Sequence, residues 1–202
     1  MVVRSVRLKR NIYRKEIINE TINEYLFARV AIKQQCWLIK GVVLDGRRGA
    51  KRVFADIPVQ MCQFHQKQIV NRYLTLNPIL PASVELRKIV QSLCQTNLIT
   101  FTNQLDAWHQ KWGIFIKEKT KDTINPRRWH YTHGRTRSAY QSLMTNLPYL
   151  FTYQKYPELH IPNTTNSLDG YFSHLKDLVG VHRGLNRETK RKMIKEILVK
   201  NS

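Results

Sequence analysis

A short apolar run, CWLIKGVVL at residues 36–44, stops on the dipeptide Asp45-Gly46. A run of this length that ends on a turn dipeptide predicts a buried β-strand with a carboxylate where the strand meets solvent. Open α/β sheets place their ligands beside that end of their strands. Because Asp-Gly is also a common turn dipeptide, the pair alone leaves an ordinary turn as the alternative.

Hydrophobic periodicity places helices around this strand. The predicted helices cover residues 15–35, 97–117, 136–146 and 187–200. Short strands are expected within residues 2–13 and at 59–62. The order predicts an α/β (α+β) fold in which a small sheet core is interrupted by a mostly helical block.

Three glutamates of the first predicted helix, Glu16, Glu20 and Glu24, fall four residues apart and would share one side of it. Such a row could gather a metal ion. The commoner interpretation is the solvated face of an amphipathic helix.

The charge of the chain is strongly positive. The sequence contains 34 Lys and Arg residues and 14 Asp and Glu residues, which gives a net charge of +20. Lysines and arginines that neutralise phosphates release counterions, so this excess predicts salt-sensitive binding to nucleic acid. Aromatic residues are interleaved with the basic ones, as in Arg127-Arg128-Trp129. The alternatives are a solvated basic surface and a protein that lies on a membrane surface.

The cysteines and the apolar runs bear on the compartment. Three cysteines at irregular spacing do not fit the disulfide framework of a secreted protein. The basic first ten residues are not followed by an apolar signal core. No apolar run reaches the length of a membrane span. We therefore expect a reduced, cytoplasmic protein without a membrane partner.

Cys62 and His65 form a Cys-x-x-His pair in VQMCQFH, and His130 and His133 form a second pair in HYTH. Together they could supply the four ligands of a zinc site. The alternative for the first pair is a packed thiol beside a hydrogen-bonded histidine.

Asp169 lies in the downstream segment NTTNSLDGYFSHLK, residues 163–176, near the start of a predicted helix that ends at Gly180. One interpretation is a capped helix start, with Asn166 as the N-cap and the acid at the positive end of the helix. Lys176 is on the same helix and could contact a phosphate or lie in solvent.

Three sequence blocks together resemble the mutator-type bacterial insertion-sequence transposases. These blocks are VVLDGRRG, VQMCQFH and NTTNSLDG. The resemblance implies a ribonuclease-H-like core in which three acids bind two magnesium or manganese ions. Asp45 would be the second acid and Asp169 the third, where the family normally has glutamate. The family's first acid would lie upstream of Met1, so the resemblance implies an N-terminally truncated transposase with little or no catalysis of its own.

The same resemblance divides the chain into three parts: residues 1–62 as a partial core, 63–162 as a helical insertion, and 163–202 as helices that complete the core. The partners would be DNA, both element ends and target, and a second copy in a homodimer on DNA. The alternative is a non-catalytic basic nucleic-acid-binding protein. Five side chains are suited to contact backbone phosphates, because they are cationic or lie near a glycine. They are Arg47, Arg48, Lys176, His182 and Arg183.

Overall fold

The computed structural model describes residues 1–47, 49–125, 127–182 and 184–200. The strands are β1 (Val2–Ser5), β2 (Arg10–Arg14), β3 (Val42–Leu44), β4 (Val59–Met61), β5 (Lys119–Lys121) and β6 (Trp129–Tyr131). The helices are α1 (Ile22–Gln34), α2 (Ala50–Val53), α3 (Gln63–Leu74), α4 (Pro81–Gln91), α5 (Leu98–Trp112), α6 (Gly134–Leu150), α7 (Thr152–Lys155), α8 (Asn166–Val181) and α9 (Arg187–Lys200). Short 3₁₀ turns lie at Ser92–Gln95, Phe115–Lys117 and Pro157–Leu159.

Most of the described residues lie in helices and a smaller share in short strands, so the predicted mixture of helix and small sheets is confirmed. The chain forms two compact units. The first unit comprises Met1–Lys40, Arg47–Ile57 and Thr165–Ser202, and the second comprises Gly41–Gly46 and Pro58–Thr164. This division groups β3 and β4 with the helical block, whereas the sequence interpretation groups both strands with residues 1–62.

The first unit contains the antiparallel hairpin β1–β2, in which Val2 lies opposite Arg14. Helix α1 begins after Thr21, whose hydroxyl accepts a hydrogen bond from the backbone N–H of Glu24 at 3.4 Å. The helix therefore starts seven residues later than predicted, because the N-cap at Thr21 sets its start. Glu16 and Glu20 precede the helix, so the predicted row of three glutamates on one helix face does not form.

Side chains of α8 and α9 contact the N-terminal hairpin within the first unit. The Asn11 amide donates to the Tyr171 hydroxyl at 3.0 Å, and the Arg4 guanidinium lies 4.8 Å from the centroid of the same ring. Glu16 pairs with Arg191 at 2.7 Å. Helix α8 continues to Val181, so the predicted stop at Gly180 is one residue early.

The second unit contains the parallel pair β3–β4, with Val42 opposite Val59 and Leu44 opposite Met61. All three residues of β4 are buried. The pair continues past the end of β4, where the backbone N–H of Cys62 donates to the carbonyl of Leu44 at 2.8 Å. These two strands form where the sequence predicted them, although β3 is shorter than the apolar run.

Helices α3 to α6 supply the main hydrophobic core of the second unit. Helix α5 lies within the predicted range 97–117 and buries Phe101, Leu105 and Trp108, which are spaced three or four residues apart. The Trp108 indole N–H donates to the carbonyl of Ala82 at 2.9 Å, which satisfies the polar atom of this ring inside the core. Across the ranges that the structure covers, none of the helices combines the length and apolar character needed to cross a membrane.

Helix α6 runs through Pro148 to Leu150, so the predicted end before this proline is wrong. The Leu150 carbonyl at its end accepts hydrogen bonds from the amide groups of Gln60 and Gln63, each at 2.9 Å. Both glutamines are fully buried. These tertiary bonds satisfy a terminal carbonyl that has no partner within its own helix.

Candidate metal and nucleic-acid site

Asp45 follows β3 directly, and its side chain is exposed whereas Leu44 before it is buried. Gly46 then adopts a left-handed backbone with φ +99°, a conformation that favours glycine. A Cβ on Gly46 would lie 2.5 Å from Cε of Met61, so the end of the Met61 side chain would have to shift. The arrangement places a solvent-accessible carboxylate at the C-terminal end of a parallel strand.

The VQMCQFH block lies beside this strand end. Cys62 is fully buried and precedes α3, and His65 is half-buried in the first turn of that helix. The backbone N–H of Gln63 donates to the carbonyl of Asn163 at 2.9 Å, and the Asn163 amide donates back to the Gln63 side chain at 3.0 Å. Asn163 is the first residue of the NTTNSLDG block, so these reciprocal bonds connect the VQMCQFH block to Asn163 within the second unit, whereas Asp169 belongs to the first unit.

Asp169 is exposed in the first turn of α8. Its carboxylate accepts a hydrogen bond from the Thr165 hydroxyl at 2.9 Å, and its backbone N–H donates to the Thr165 carbonyl at 3.0 Å. The residue before the helix is Thr165, so the predicted N-cap at Asn166 is wrong by one residue. An acid in the first turn is stabilised by the helix dipole whether or not it binds a metal.

The predicted phosphate contacts divide among several elements. Arg47 is exposed after β3, Lys176 is exposed on α8, and His182 is exposed at the end of that helix. Arg48 and Arg183 lie outside the described residues. Asp45 belongs to the second unit and Asp169 to the first, so their use of the same metal ions stays a prediction from the resemblance.

The two Cys and His pairs do not assemble into one ligand set. Within the part of the chain that the structure covers, no group of three or more His, Cys, Asp or Glu side chains is arranged to hold a metal. His133 instead lies 3.0 Å from the Glu118 carboxylate and stacks on the Phe115 ring. Carboxylate oxygens such as those of Asp45 and Asp169 are the type of ligand that magnesium and manganese prefer.

Sequence reasoning missed the hairpin formed by β5 and β6. Its strands alternate in KTK and WHY, and Asp122 and Asn125 lie between them. Alternation around residues that favour turns is the signal that predicts such a hairpin. The predicted interleaving of basic and aromatic residues includes Trp129 of this element.

No protein-family model, curated protein or solved structure matches this chain. The resemblance to transposases therefore stays a prediction from the three motif blocks.

Proposed function

We propose that this chain is part of a DDE-type insertion-sequence transposase, which cuts and joins DNA strands with the help of divalent metal ions. The observation that carries the proposal is the exposed Asp45 carboxylate at the end of a parallel strand, with Gly46 held close to Met61. The reciprocal bonds between Gln63 of the VQMCQFH block and Asn163, the first residue of the NTTNSLDG block, support it.

In this proposal Asp45 and Asp169 are the second and third acids. Each would donate carboxylate oxygens to a magnesium or manganese ion, which supplies Lewis-acid activation of the phosphodiester. The exposed Arg47 guanidinium follows Asp45 closely in the chain and would neutralise a backbone phosphate. Asp169 is one methylene shorter than the glutamate of the family pattern, so its oxygens reach less far.

Asp45 and Asp169 would act through the metal ions that they hold, so we expect the chain to bind divalent metal ions through both carboxylates. Metal binding therefore tests the assignment of each acid directly.

The test measures Mn²⁺ binding to the full chain by electron paramagnetic resonance. Asp45→Ala and Asp169→Ala should each weaken binding. Asp106→Ala is the matched control, because Asp106 is an exposed carboxylate on α5 that has no role in the proposal. Equal Mn²⁺ affinity in all four proteins would refute the assignment of both acids.

The net charge of +20 favours a second candidate function, a non-catalytic nucleic-acid-binding protein. Such a protein binds DNA through Lys and Arg alone, so its affinity falls steeply with salt and does not depend on Mn²⁺. Salt-sensitive DNA binding in a chain that binds no Mn²⁺ would select this function over the transposase.

A further inference from the structure

The hairpin β5–β6 presents a basic and aromatic face. Lys119 lies opposite Tyr131 and Lys121 lies opposite Trp129. Because side chains alternate between the two sides of a strand, these four residues share one face of the hairpin. His130 belongs to the opposite face. We call the face formed by Lys119, Lys121, Trp129 and Tyr131 the aromatic face.

Cations lie close to both rings of the aromatic face. The Lys119 ammonium is 3.8 Å from the centroid of the Trp129 ring, and the Arg137 guanidinium is 4.1 Å from the centroid of the Tyr131 ring. The two rings meet edge to face, with centroids 5.3 Å apart. Trp129 nevertheless remains 50% exposed, so part of its ring is accessible beside these positive charges.

The segment around the hairpin is strongly basic. Residues 117–137 contain seven Lys and Arg residues against two acids, Glu118 and Asp122. Glu118 contacts His133. The Asp122 carboxylate accepts hydrogen bonds from the backbone N–H groups of Ile124 and Asn125, at 2.8 and 3.1 Å. Both acids therefore shape the segment, and its excess positive charge suits a polyanion.

The hairpin is anchored at its base. Ile116 is buried next to β5, and the hydroxyls of Thr120 and Thr132 are 2.7 Å apart across the two strands. The Phe115 and His133 rings stack with centroids 3.6 Å apart. Anchoring of this kind holds the aromatic face in place before any ligand arrives, which lowers the entropy cost of binding.

We propose that the aromatic face binds single-stranded DNA, with bases stacking on Trp129 and Tyr131 and phosphates contacting Lys119, Lys121 and Arg137. Rings beside a basic surface are the means by which proteins hold unpaired strands, because every base has a π-face that stacks on an aromatic side chain. In a duplex the base faces are covered by neighbouring base pairs, so the rings contribute little there. The choice of DNA rests on the proposed function.

The experiment measures the affinity of the full chain for fluorescein-labelled oligothymidylate of about 12 nucleotides, which lies within common site sizes. A duplex of equal length is measured in parallel, and all solutions contain EDTA. Trp129→Ala should weaken binding to the single strand about tenfold, and the duplex less than about twofold. Trp129→Phe should restore most of the single-strand affinity, since a ring is kept.

His130→Ala is the matched control, because His130 is exposed on the other face of the same hairpin. Circular dichroism of each variant checks that the fold is kept. Equal affinity of the Trp129→Ala and His130→Ala variants for the single strand would overturn the proposal. So would an equal loss for single strand and duplex, which indicates contacts to phosphates alone.

This experiment can fail or succeed independently of the test of the transposase proposal. Binding is measured without metal, so a chain that binds no Mn²⁺ can still hold single strands through Trp129. Conversely, if the Trp129→Ala variant binds normally while Mn²⁺ binding requires Asp45, only the role of the aromatic face is wrong.

Discussion

Two buried glutamines in the second unit provide a sharp test of the fold. Gln60 and Gln63 each donate to the Leu150 carbonyl at 2.9 Å. The Gln60 side chain also accepts from the backbone N–H of Tyr153 at 3.0 Å. Methionine is unbranched and similar in length but forms no comparable hydrogen bonds, so the perturbations are Gln60→Met, Gln63→Met and the two combined.

The magnitude follows from counting unsatisfied groups. Gln60→Met leaves the Tyr153 N–H without this acceptor, and a buried unsatisfied polar group costs about 1–3 kcal/mol. After either single substitution, the Leu150 carbonyl still accepts a hydrogen bond from the remaining glutamine. Only the double variant removes both donors, so its loss should exceed the sum of the single losses by about 1 kcal/mol or more.

Urea unfolding followed by tryptophan fluorescence measures these losses. A Trp37→Phe background leaves Trp108, Trp112 and Trp129, all of which belong to the second unit. Gln68→Met is the control, because Gln68 is exposed on α3; it should change the free energy of unfolding by less than about 0.5 kcal/mol. Losses that add to within about 0.5 kcal/mol would refute the shared role of the Leu150 carbonyl.

Three further predictions concern single positions. Gly46→Ala should destabilise the chain by about 1–2 kcal/mol or more, since its φ of +99° and the nearby Met61 both oppose a side chain; a denaturation midpoint equal to that of wild type would contradict this. Phe101→Ala, at a fully buried site, should cost about 3–5 kcal/mol in the same assay, and a loss below about 1 kcal/mol would contradict its core position. The pKa of Asp122 is lowered from 3.8 by backbone N–H groups, first that of Ile124. Its stabilisation of the hairpin loop is therefore complete above the unfolded value and is lost as the pH falls through the lower folded value. Carbon-detected NMR titration should find its midpoint below 3.8, and a midpoint at or above that value would contradict the loop geometry.

Local signals were sufficient for several elements. The apolar run that stops on Asp45-Gly46 predicted a strand end with an exposed acid, and β3 ends at Leu44. Hydrophobic spacing also predicted helix α5 and the last helix, Arg187–Lys200. In these segments the residues that define the element are close together in the chain.

Elements fixed by distant contacts could not be predicted. Helix α6 passes Pro148, and its terminal carbonyl accepts hydrogen bonds from Gln60 and Gln63, which are far away in sequence. The exposed hairpin strand β6 is only three residues long, so its alternation is too short to stand out from the sequence around it. The compact units are also built from discontinuous segments, and sequence spacing carries no signal for such a division.

The central claim is that Asp45 serves metal-dependent chemistry on DNA. Its most direct test is the affinity of the full chain for duplex DNA, measured by fluorescence anisotropy in Mn²⁺ and in EDTA. The account predicts that Mn²⁺ strengthens DNA binding of the wild-type chain and that Asp45→Ala removes this gain. If the ratio of the DNA affinity in Mn²⁺ to that in EDTA is the same for the wild-type chain and the Asp45→Ala variant, the account is contradicted. The chain would then be a simple basic DNA-binding protein.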